Sequence, residues 1–282
     1  KFESQCEIAV RNIFGMTECA GIVSIEPCLA PRHPGSVGGR LPYSEVVAVP
    51  LEMASQSRLT EFCPPGETGI IAIRGPHVST GYLDPNQAAG TFTDDNWLIS
   101  GDLGHVDKDG YIYLTGRSKD LIIRSGHNID PGLIEEAFLR LADVSTCAAV
   151  GEPDAYAGEL PVVFVTLKDG VSVTPQALLK QATPYVPERP AVPKRVIILE
   201  KMPTTPIGKI FKPALRAMAA EVKLTDLIDE LSLSNSVNVR SLAQARGVVA
   251  TVNISASLQK DQITSLKQAL GTLPLQIDFV RG

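Results

Sequence analysis

The chain has 282 residues, of which 44% are hydrophobic and 20% charged, with a formal net charge of −5. These values are ordinary for a soluble globular protein of about two domains. Positive and negative residues are interspersed without a basic block, which argues against a nucleic-acid partner, and no apolar run approaches the ~20 residues that cross a bilayer.

The cysteines and the start of the chain bear on its cellular compartment. A scattered, odd number of cysteines without a C-x-x-C pair predicts free or buried thiols rather than a disulfide framework or a zinc site. No charged start followed by an apolar stretch suggests a signal peptide. We therefore expect a cytoplasmic protein. Because Lys1 replaces a starting methionine and leads directly into ordered-looking sequence, we also expect an N-terminal part to precede it. The cysteines are Cys6, Cys19, Cys28, Cys63 and Cys147.

The first 118 residues predict short strands and turns. Residues 8–14 (IAVRNIF) predict a short buried strand, which leads into the turn FGMTE, and a loop rich in Pro and Gly occupies residues 27–42. Asp109-Gly110 is a turn dipeptide between two strand-like runs, so it predicts a hairpin. Further strands are expected at residues 46–49, 70–74 and 105–114, which together indicate a small β-rich unit.

After Asp120 helices and strands alternate. A helix is predicted over residues 131–141, with proline in its first turn and apolar residues on one face. A compact α+β domain is therefore expected up to about residue 222. Its other predicted elements are strands at 121–123, 146–150, 162–167 and 196–199 and helices at 175–181 and 212–222.

The tail, residues 223–282, has its own pattern. It predicts a helix at 224–231, a loose polar segment at 232–241, and then a strand, a helix and a strand at 247–256, 261–273 and 275–280. Two interpretations stay open: an added interaction or dimerisation module, or a packed appendage that stabilises the preceding domain.

Three motifs carry candidate chemistry, and the first is 12-NIFGMTECAG-21. Phe14 could stack on a base, Gly15 permits a close backbone approach, and Thr17 could bond a phosphate. Glu18 could hold Mg²⁺, since this ion needs only one or two carboxylates beside phosphate oxygens. The plainer interpretation is a strand end followed by a capped turn.

The second motif is 99-ISGDLGHVDKDGYIYLTGR-117. Asp102, between two glycines, could accept hydrogen bonds from ribose hydroxyls, and Arg117 could reach the same sugar or a phosphate. The plainer interpretation is a β-hairpin with polar residues at one end. A calcium loop around residues 107–110 is excluded because His105 and Gly116 stand where the first ligand and the final glutamate are required.

The third motif is 202-MPTTPIGKIFKPAL-215. Lys209 follows a glycine on a segment that predicts a flexible loop, where an ammonium group could serve as a mobile charge toward a phosphate or carboxylate. The plainer interpretation is a solvated lysine on a loop.

Together these motifs resemble the AMP-forming adenylating enzymes, which include acyl-CoA synthetases, peptide-synthetase adenylation domains and luciferases. FGMTE is similar to their aromatic-Gly-x-Thr-Glu motif. Residues 100–138 are similar to their TGD…GR-x-K/D-D block, and 203-PTTPIGKIFKPAL-215 to their Gly-Lys motif. The resemblance extends from about residue 12 to residue 222, in the family's order.

The resemblance implies a role for each matched residue. Phe14, where tyrosine is commoner, would flank the adenine with Gly15 beside it, and Thr17 would contact the α-phosphate. Glu18 would bind Mg²⁺. Asp102 and Arg117 would bind the ribose, and Lys119 would be the hinge between a large and a small domain. Gly126 would lie on the loop that lines the pantetheine tunnel. Lys209 would contact the substrate carboxylate and the α-phosphate.

The expected fold class is accordingly α/β and α+β in several domains. Residues 1–118 would end a large AMP-binding domain that includes a β-rich subdomain, 119–222 would form a mobile α+β domain, and 223–282 an extension. The expected substrates are ATP, a small-molecule carboxylic acid such as a fatty acid, and coenzyme A. Free CoA is favoured as the acceptor because no carrier attachment site (Gly-Gly-x-Ser) follows Lys209, and no separate signal indicates luciferase activity.

One expected part of the family pattern is missing from the sequence. Its Gly-rich phosphate loop and most of its acyl pocket would precede FGMTE, so we expect this chain alone not to catalyse adenylation. The alternative is a non-catalytic module that binds a nucleotide or a partner protein. A homodimer is compatible with either interpretation.

Overall fold

The computed structural model describes residues 2–84, 90–244 and 247–282. The chain divides into two compact units, Lys1–Lys119 (unit 1) and Asp120–Gly282 (unit 2). Within those described ranges, every helix is too short or too polar to cross a membrane.

Unit 1 is built mainly from two antiparallel sheets. After helix α1 (Phe2–Cys6), the short strands β1 (Ile13–Phe14), β2 (Ser24–Ile25) and β3 (Gly39–Arg40) form one sheet. The other sheet is a meander in which each strand pairs with the next in sequence. Its strands are β4 (Glu45–Val49), β5 (Gly69–Arg74), β6 (Leu98–Val106) and β7 (Ile112–Arg117).

The hairpin between β6 and β7 confirms the turn predicted at Asp109-Gly110. The Asp107 carboxylate accepts hydrogen bonds from the backbone N–H groups of Asp109 and Tyr111, and Gly110 adopts a φ of 84°. This left-handed conformation is easy for glycine because it has no Cβ. The strand before this turn was predicted to begin at residue 105, but β6 begins earlier, at Leu98.

The strand predicted over residues 8–14 is wrong for residues 8–12. Ile8 and Val10 are exposed, and only Ile13 and Phe14 pair with β2. The Asn12 N–H donates to the Glu26 carboxylate rather than to a neighbouring strand. Apolar character alone therefore led to a wrong strand prediction for this segment. The Asn12 N–H is bound by the Glu26 side chain, and Ile8 and Val10 face outward.

Unit 2 begins with a five-stranded sheet. Strands β10 (Val144–Asp154) and β11 (Gly158–Leu167) form its long antiparallel centre, and β12 (Arg195–Ile198) runs parallel to β11. The short hairpin of β8 (Ile122–Arg124) and β9 (His127–Ile129) joins β11 through β8, and the sequence did not predict β9. The helices of this part are α2 (Pro131–Leu139), α3 (Pro175–Ala182) and α4 (Lys212–Glu230).

Two cores cover the two faces of this sheet. Helices α2 and α3 bury Ile134, Phe138 and Leu178 against one face, and α4 buries Leu215 and Ala219 against the other. Helix α2 begins at Pro131, as predicted. The Asp130 carboxylate accepts a hydrogen bond from the Gly132 N–H and so caps the start of the helix. Burial raises the pKa of that carboxyl.

The tail differs from its prediction in two ways. Helix α4 is continuous through residues 222 and 223, since its first half buries Leu215 in the core of the five-stranded sheet and its second half buries Leu224 and Ile228 in the core of the tail. The segment predicted to be loose contains strand β13 (Val237–Gln244), which pairs with β14 (Gly247–Ile254). The expected strand–helix–strand order is completed by α5 (Lys260–Leu270) and β15 (Gln276–Arg281).

The cysteines occupy contrasting environments. Cys6 and Cys28 are exposed, Cys63 is half-buried, and Cys19 and Cys147 are buried. Burial raises the pKa of Cys19 to about 11 and that of Cys147 to about 12. The two buried thiols are therefore protonated near neutral pH and chemically unreactive.

Phe138 and Leu139 provide a stability test within one helix. Phe138 is fully buried, so Phe138→Ala should lower the free energy of unfolding of unit 2 by about 3–5 kcal/mol. Leu139 is 54% exposed, so Leu139→Ala should cost less than about 1 kcal/mol. Urea unfolding followed by circular dichroism measures both, and equal losses would contradict this description of the core.

Candidate active site

A bulge in β6 places Asp102. Ala72 of β5 pairs with Ile99, and Ile70 pairs with Leu103, so that the three residues 100–102 lie opposite Ile71 alone. Gly101, with a φ of 75°, provides the backbone conformation that such a bulge needs. The Asp102 N–H donates to Ser100 Oγ at 3.0 Å, which ties the bulge together locally.

Asp102 and Arg117 form an ion pair across two strands. They are direct register partners on β6 and β7, and Arg117 Nε donates to Asp102 Oδ1 at 2.8 Å. The Asp102 side chain is 10% exposed and the Arg117 side chain 50%. A nearly buried carboxylate is therefore held by a cation that also faces solvent, which orients the carboxylate for a further donor such as a hydroxyl.

The turn after β1 is held by an unusually close backbone approach. A Cβ atom on Gly15 would lie 1.9 Å from Gly21 O, so only glycine fits at position 15. Thr17 and Glu18 begin the 3-10 turn Thr17–Cys19 that follows. The Glu18 carbonyl accepts from the Ser79 N–H at 2.7 Å, which fixes the turn against the next loop.

Tyr82 is a site residue that the sequence did not reveal. Its hydroxyl donates to Glu18 Oε1, and this hydrogen bond, with burial and the negative charge of Glu18, raises the pKa of the phenol. No motif marks Tyr82, because it lies 64 residues after Glu18 and meets it only in the folded unit. The contact orients the carboxylate that the resemblance assigns to Mg²⁺.

Glu18 meets the basic chemical requirement for that ion. Mg²⁺ prefers oxygen ligands and is held in nucleotide sites by one or two carboxylates together with phosphate oxygens. Glu18 is half-buried and lines a cavity, and as a carboxylate it is the type of ligand that a nucleotide-bound magnesium ion takes.

A cavity of about 360 Å³ in unit 1 is lined by Glu18, but Asp102 and Arg117 are not among its lining residues. Tyr82 also lines it, as do Gly101, which precedes Asp102 in sequence, and Ser118, which follows Arg117. Ser118 Oγ donates to the Gly101 carbonyl at 3.1 Å. The remaining lining residues are Met16, Ala54, Ile70, Gly90, Thr91, Leu98, Ile99 and Ser100.

Phe14 does not line this cavity. It is 8% exposed and packs in the core of unit 1 with Val23, Val46 and Ile71. Thr17 is exposed at the turn beside the cavity residues Met16 and Glu18. The adenine contact of Phe14 and the phosphate contact of Thr17 therefore stay predictions.

Lys209 lies on a compact turn of unit 2. The sequence predicted a flexible loop, but Thr205 N–H donates to Lys209 O at 2.7 Å and Gly208 N–H to Thr205 O at 2.9 Å. Gly208 has a φ of 81°, which is typical of a hairpin that closes with a bulge. The side chain of Lys209 is thus exposed on a hydrogen-bonded hairpin rather than on an open loop.

Gly126 and Lys119 occupy two other turns. Ser125 and Gly126 both have positive φ, 51° and 80°, as a two-residue turn between β8 and β9 requires. Lys119 lies in the 3-10 turn Ser118–Asp120, and the boundary between the two units falls directly after it. Their roles in pantetheine binding and as a hinge stay predictions.

Two family models match the chain. The model for AMP-binding enzymes matches residues 1–83, and the model for the AMP-binding enzyme C-terminal domain matches residues 133–209. The two matched segments include Glu18 and Lys209 respectively.

Two curated relatives are CoA ligases. The marinolic acid–CoA ligase of Pseudoalteromonas sp. (strain SANK 73390) is 38% identical over 93% of this chain and 40% of its own length. This match must include most of residues 223–282. The long-chain-fatty-acid–CoA ligase of Salmonella typhimurium is 34% identical over 72% of this chain and 35% of its own length.

A solved structure shares the mixed α/β fold. The ATP-bound crystal structure of MatB from Rhodopseudomonas palustris is 30% identical, with a TM-score of 0.70 over 77% of this chain and 42% of that chain. The present chain thus spans between 35% and 42% of the length of these three proteins. With the motifs, both family models and this fold in agreement, the chain belongs to the AMP-forming adenylating enzyme superfamily and includes its C-terminal domain.

Proposed function

We propose that the protein functions as an AMP-forming acyl-CoA synthetase, which converts a carboxylic acid, ATP and CoA to acyl-CoA, AMP and pyrophosphate through an acyl-adenylate. The observation that carries this proposal is that Glu18 lines one cavity of unit 1 together with Gly101 and Ser118, the sequence neighbours of the paired residues Asp102 and Arg117. The names of the two curated relatives as CoA ligases support it. They do not favour the alternative of a non-catalytic binding module.

The nucleotide would be held by unit 1. Asp102 is nearly buried and oriented by Arg117, so it suits the two hydroxyls of a ribose, which donate hydrogen bonds to a carboxylate. Thr17 would donate its hydroxyl to the α-phosphate. Glu18, oriented by Tyr82, would hold Mg²⁺, whose positive charge stabilises the phosphate oxygens of the bound nucleotide.

Lys209 would act in the first half-reaction. The substrate carboxylate attacks the α-phosphorus, its C–O oxygen forms the new P–O bond, and pyrophosphate leaves. Both reactants are negative, so the reaction requires positive charge where they meet. The exposed ammonium of Lys209 on its hairpin would supply this charge to the carboxylate and α-phosphate. No protein side chain becomes a covalent nucleophile.

The second half-reaction would need a different arrangement. The CoA sulfur attacks the acyl carbon and AMP leaves, so space must open for the pantetheine thiol beside Gly126. We propose that unit 2 turns about Lys119 between the half-reactions, as a hinge in which a few backbone dihedrals change. The turn position of Lys119 at the unit boundary supports this assignment.

The names of the relatives indicate the class of carboxylic acid that the protein would use. We propose a fatty acid or a related carboxylic acid as substrate, in keeping with the long-chain-fatty-acid–CoA ligase.

The proposed domains are 1–118, 119–222 and 223–282, although α4 is shared by the last two. The last segment is either an interaction or dimerisation module or a stabilising appendage.

Asp102→Asn tests the nucleotide site. The amide keeps the shape of the carboxylate and loses its charge, so AMP affinity should fall about tenfold or more, as expected for lost hydrogen bonds to a charged group. Asp109→Asn changes an exposed carboxylate in the same unit and should leave the affinity unchanged. Calorimetric titration with AMP measures both variants, and equal affinities would contradict the assignment.

Lys209→Ala tests the charge in the first half-reaction. The complete protein carrying this variant should lose ATP–pyrophosphate exchange, because nothing replaces the ammonium, yet it should still form acyl-CoA from supplied acyl-AMP. Lys201→Ala removes another exposed lysine, on the stretch that precedes the hairpin, and serves as the control. Surviving pyrophosphate exchange in Lys209→Ala would show that the lysine role is wrong.

Lys119→Pro tests the hinge. Proline restricts φ to about −65°, so one half-reaction should be impaired more than the other. Lys119→Ala removes the side chain without restricting φ and separates a backbone effect from a side-chain effect. Single-turnover measurement of each half-reaction gives the result, and equal impairment of both by Lys119→Pro would refute the hinge.

A further inference from the structure

Two cations on the first turns of α4 each bind a carboxylate from another part of unit 2. Lys212 Nζ lies 2.7 Å from Glu135 Oε1, and an Arg216 terminal nitrogen lies 3.1 Å from Asp120 Oδ1. Lys212 and Arg216 are four residues apart, so they occupy one face of the helix. The four side chains are between 18% and 23% exposed, which makes these contacts less accessible to water than ordinary surface ion pairs.

Glu135 connects Lys212 to the centre of the sheet. The same Oε1 atom accepts from the Ala149 N–H on β10 at 2.9 Å, and the Glu135 carbonyl accepts from Cys147 Sγ at 3.2 Å. Glu135 thus joins α2, β10 and α4 through one side chain and its backbone. Through Glu135, the start of α4 is connected to the largely buried strand β10.

The hairpin that carries Lys209 leads directly into the start of α4. Only Ile210 and Phe211 separate Lys209 from Lys212, and the Phe211 N–H closes the base of the hairpin on Pro203 O at 2.9 Å. Ile210 and the buried Met202 hold the base in the core below α4, whereas Ile207 at the tip is 78% exposed. The direction of the exposed tip, and of Lys209 with it, therefore depends on how firmly the base and α4 are held.

Asp120 brings the proposed hinge to the same helix. It follows Lys119 directly and is the first residue of unit 2. Its ion pair with Arg216 ties the beginning of the unit to α4 one turn after Lys212. The hinge end of unit 2 and the base of the Lys209 hairpin thus share one helical segment.

We propose that the pairs Lys212–Glu135 and Arg216–Asp120 form a brace, called here the α4 brace, that positions Lys209 relative to the hinge. This proposal rests on the proposed function. All four are positioning residues that act through Lys209. The brace makes unit 2 turn as one body, so that a change of backbone dihedrals at Lys119 carries the ammonium of Lys209 by a defined path.

Hydrogen exchange tests the brace without any activity. Glu135→Gln keeps the acceptor for Ala149 and removes the charge that faces Lys212, while Lys212→Met removes the cation. In both variants the peptide over residues 203–211 should exchange its amide hydrogens about tenfold faster or more, since local opening becomes easier. Glu136→Gln, on the same helix but exposed and paired with Arg140, is the matched control.

The two half-reactions test its purpose in the complete protein. Glu135→Gln, Lys212→Met and Asp120→Asn should lower ATP–pyrophosphate exchange by about tenfold or more, because a small displacement of a catalytic group is costly. Acyl-CoA formation from supplied acyl-AMP should change much less. Lys212→Arg and Arg216→Lys keep the charges and should retain most of the exchange activity, which a purely steric role would not predict.

Each outcome decides one claim. Unchanged amide exchange in Glu135→Gln and Lys212→Met relative to Glu136→Gln would overturn the brace. Faster amide exchange with an equal loss in both half-reactions would overturn its positioning role and leave a structural one. If the unaltered protein shows no pyrophosphate exchange, the proposed function fails, and the amide exchange alone decides whether the brace exists.

Discussion

The site of unit 1 depends on a mismatch between two strands. Three residues of β6 lie opposite one residue of β5, and Gly101 adopts the left-handed conformation that lets the extra residues fit. This bulge places the Gly101 carbonyl where Ser118 binds it, while the next residue, Asp102, pairs with Arg117 on β7. A bulge interrupts the strict alternation of side chains along a strand and can redirect one of them, here that of Asp102.

Unit 2 uses a different means to place its lysine. Its exposed hairpin has few apolar contacts at the tip, so packing alone gives Lys209 little direction. Partly buried ion pairs at the start of α4 add that direction, and their geometry is specific because each cation has a defined carboxylate. Unit 1 thus contains a cavity lined by Glu18, and unit 2 carries an exposed lysine on a hydrogen-bonded hairpin.

The sequence predicted the parts of this molecule that depend on local rules. Proline in the first turn located α2, Asp109-Gly110 located the β6–β7 hairpin, and the motifs identified Glu18, Asp102 and Lys209 as candidates. It did not predict features that depend on distant contacts. Tyr82 meets Glu18 only across the folded unit, and β13 has alternating polar residues that became recognisable as a strand only beside β14. The strand prediction for residues 8–12 was wrong because apolar residues, which usually indicate a buried strand, face outward there.

The distribution of cysteine environments has a practical consequence for work on this protein. The two exposed thiols, Cys6 and Cys28, both belong to unit 1, and the one cysteine of unit 2, Cys147, is buried and protonated. A maleimide dye would therefore label unit 1 and leave unit 2 unmarked. One cysteine introduced at an exposed position of unit 2 would complete a donor–acceptor pair, once Cys6 or Cys28 is replaced, and would make the distance between the units observable in solution.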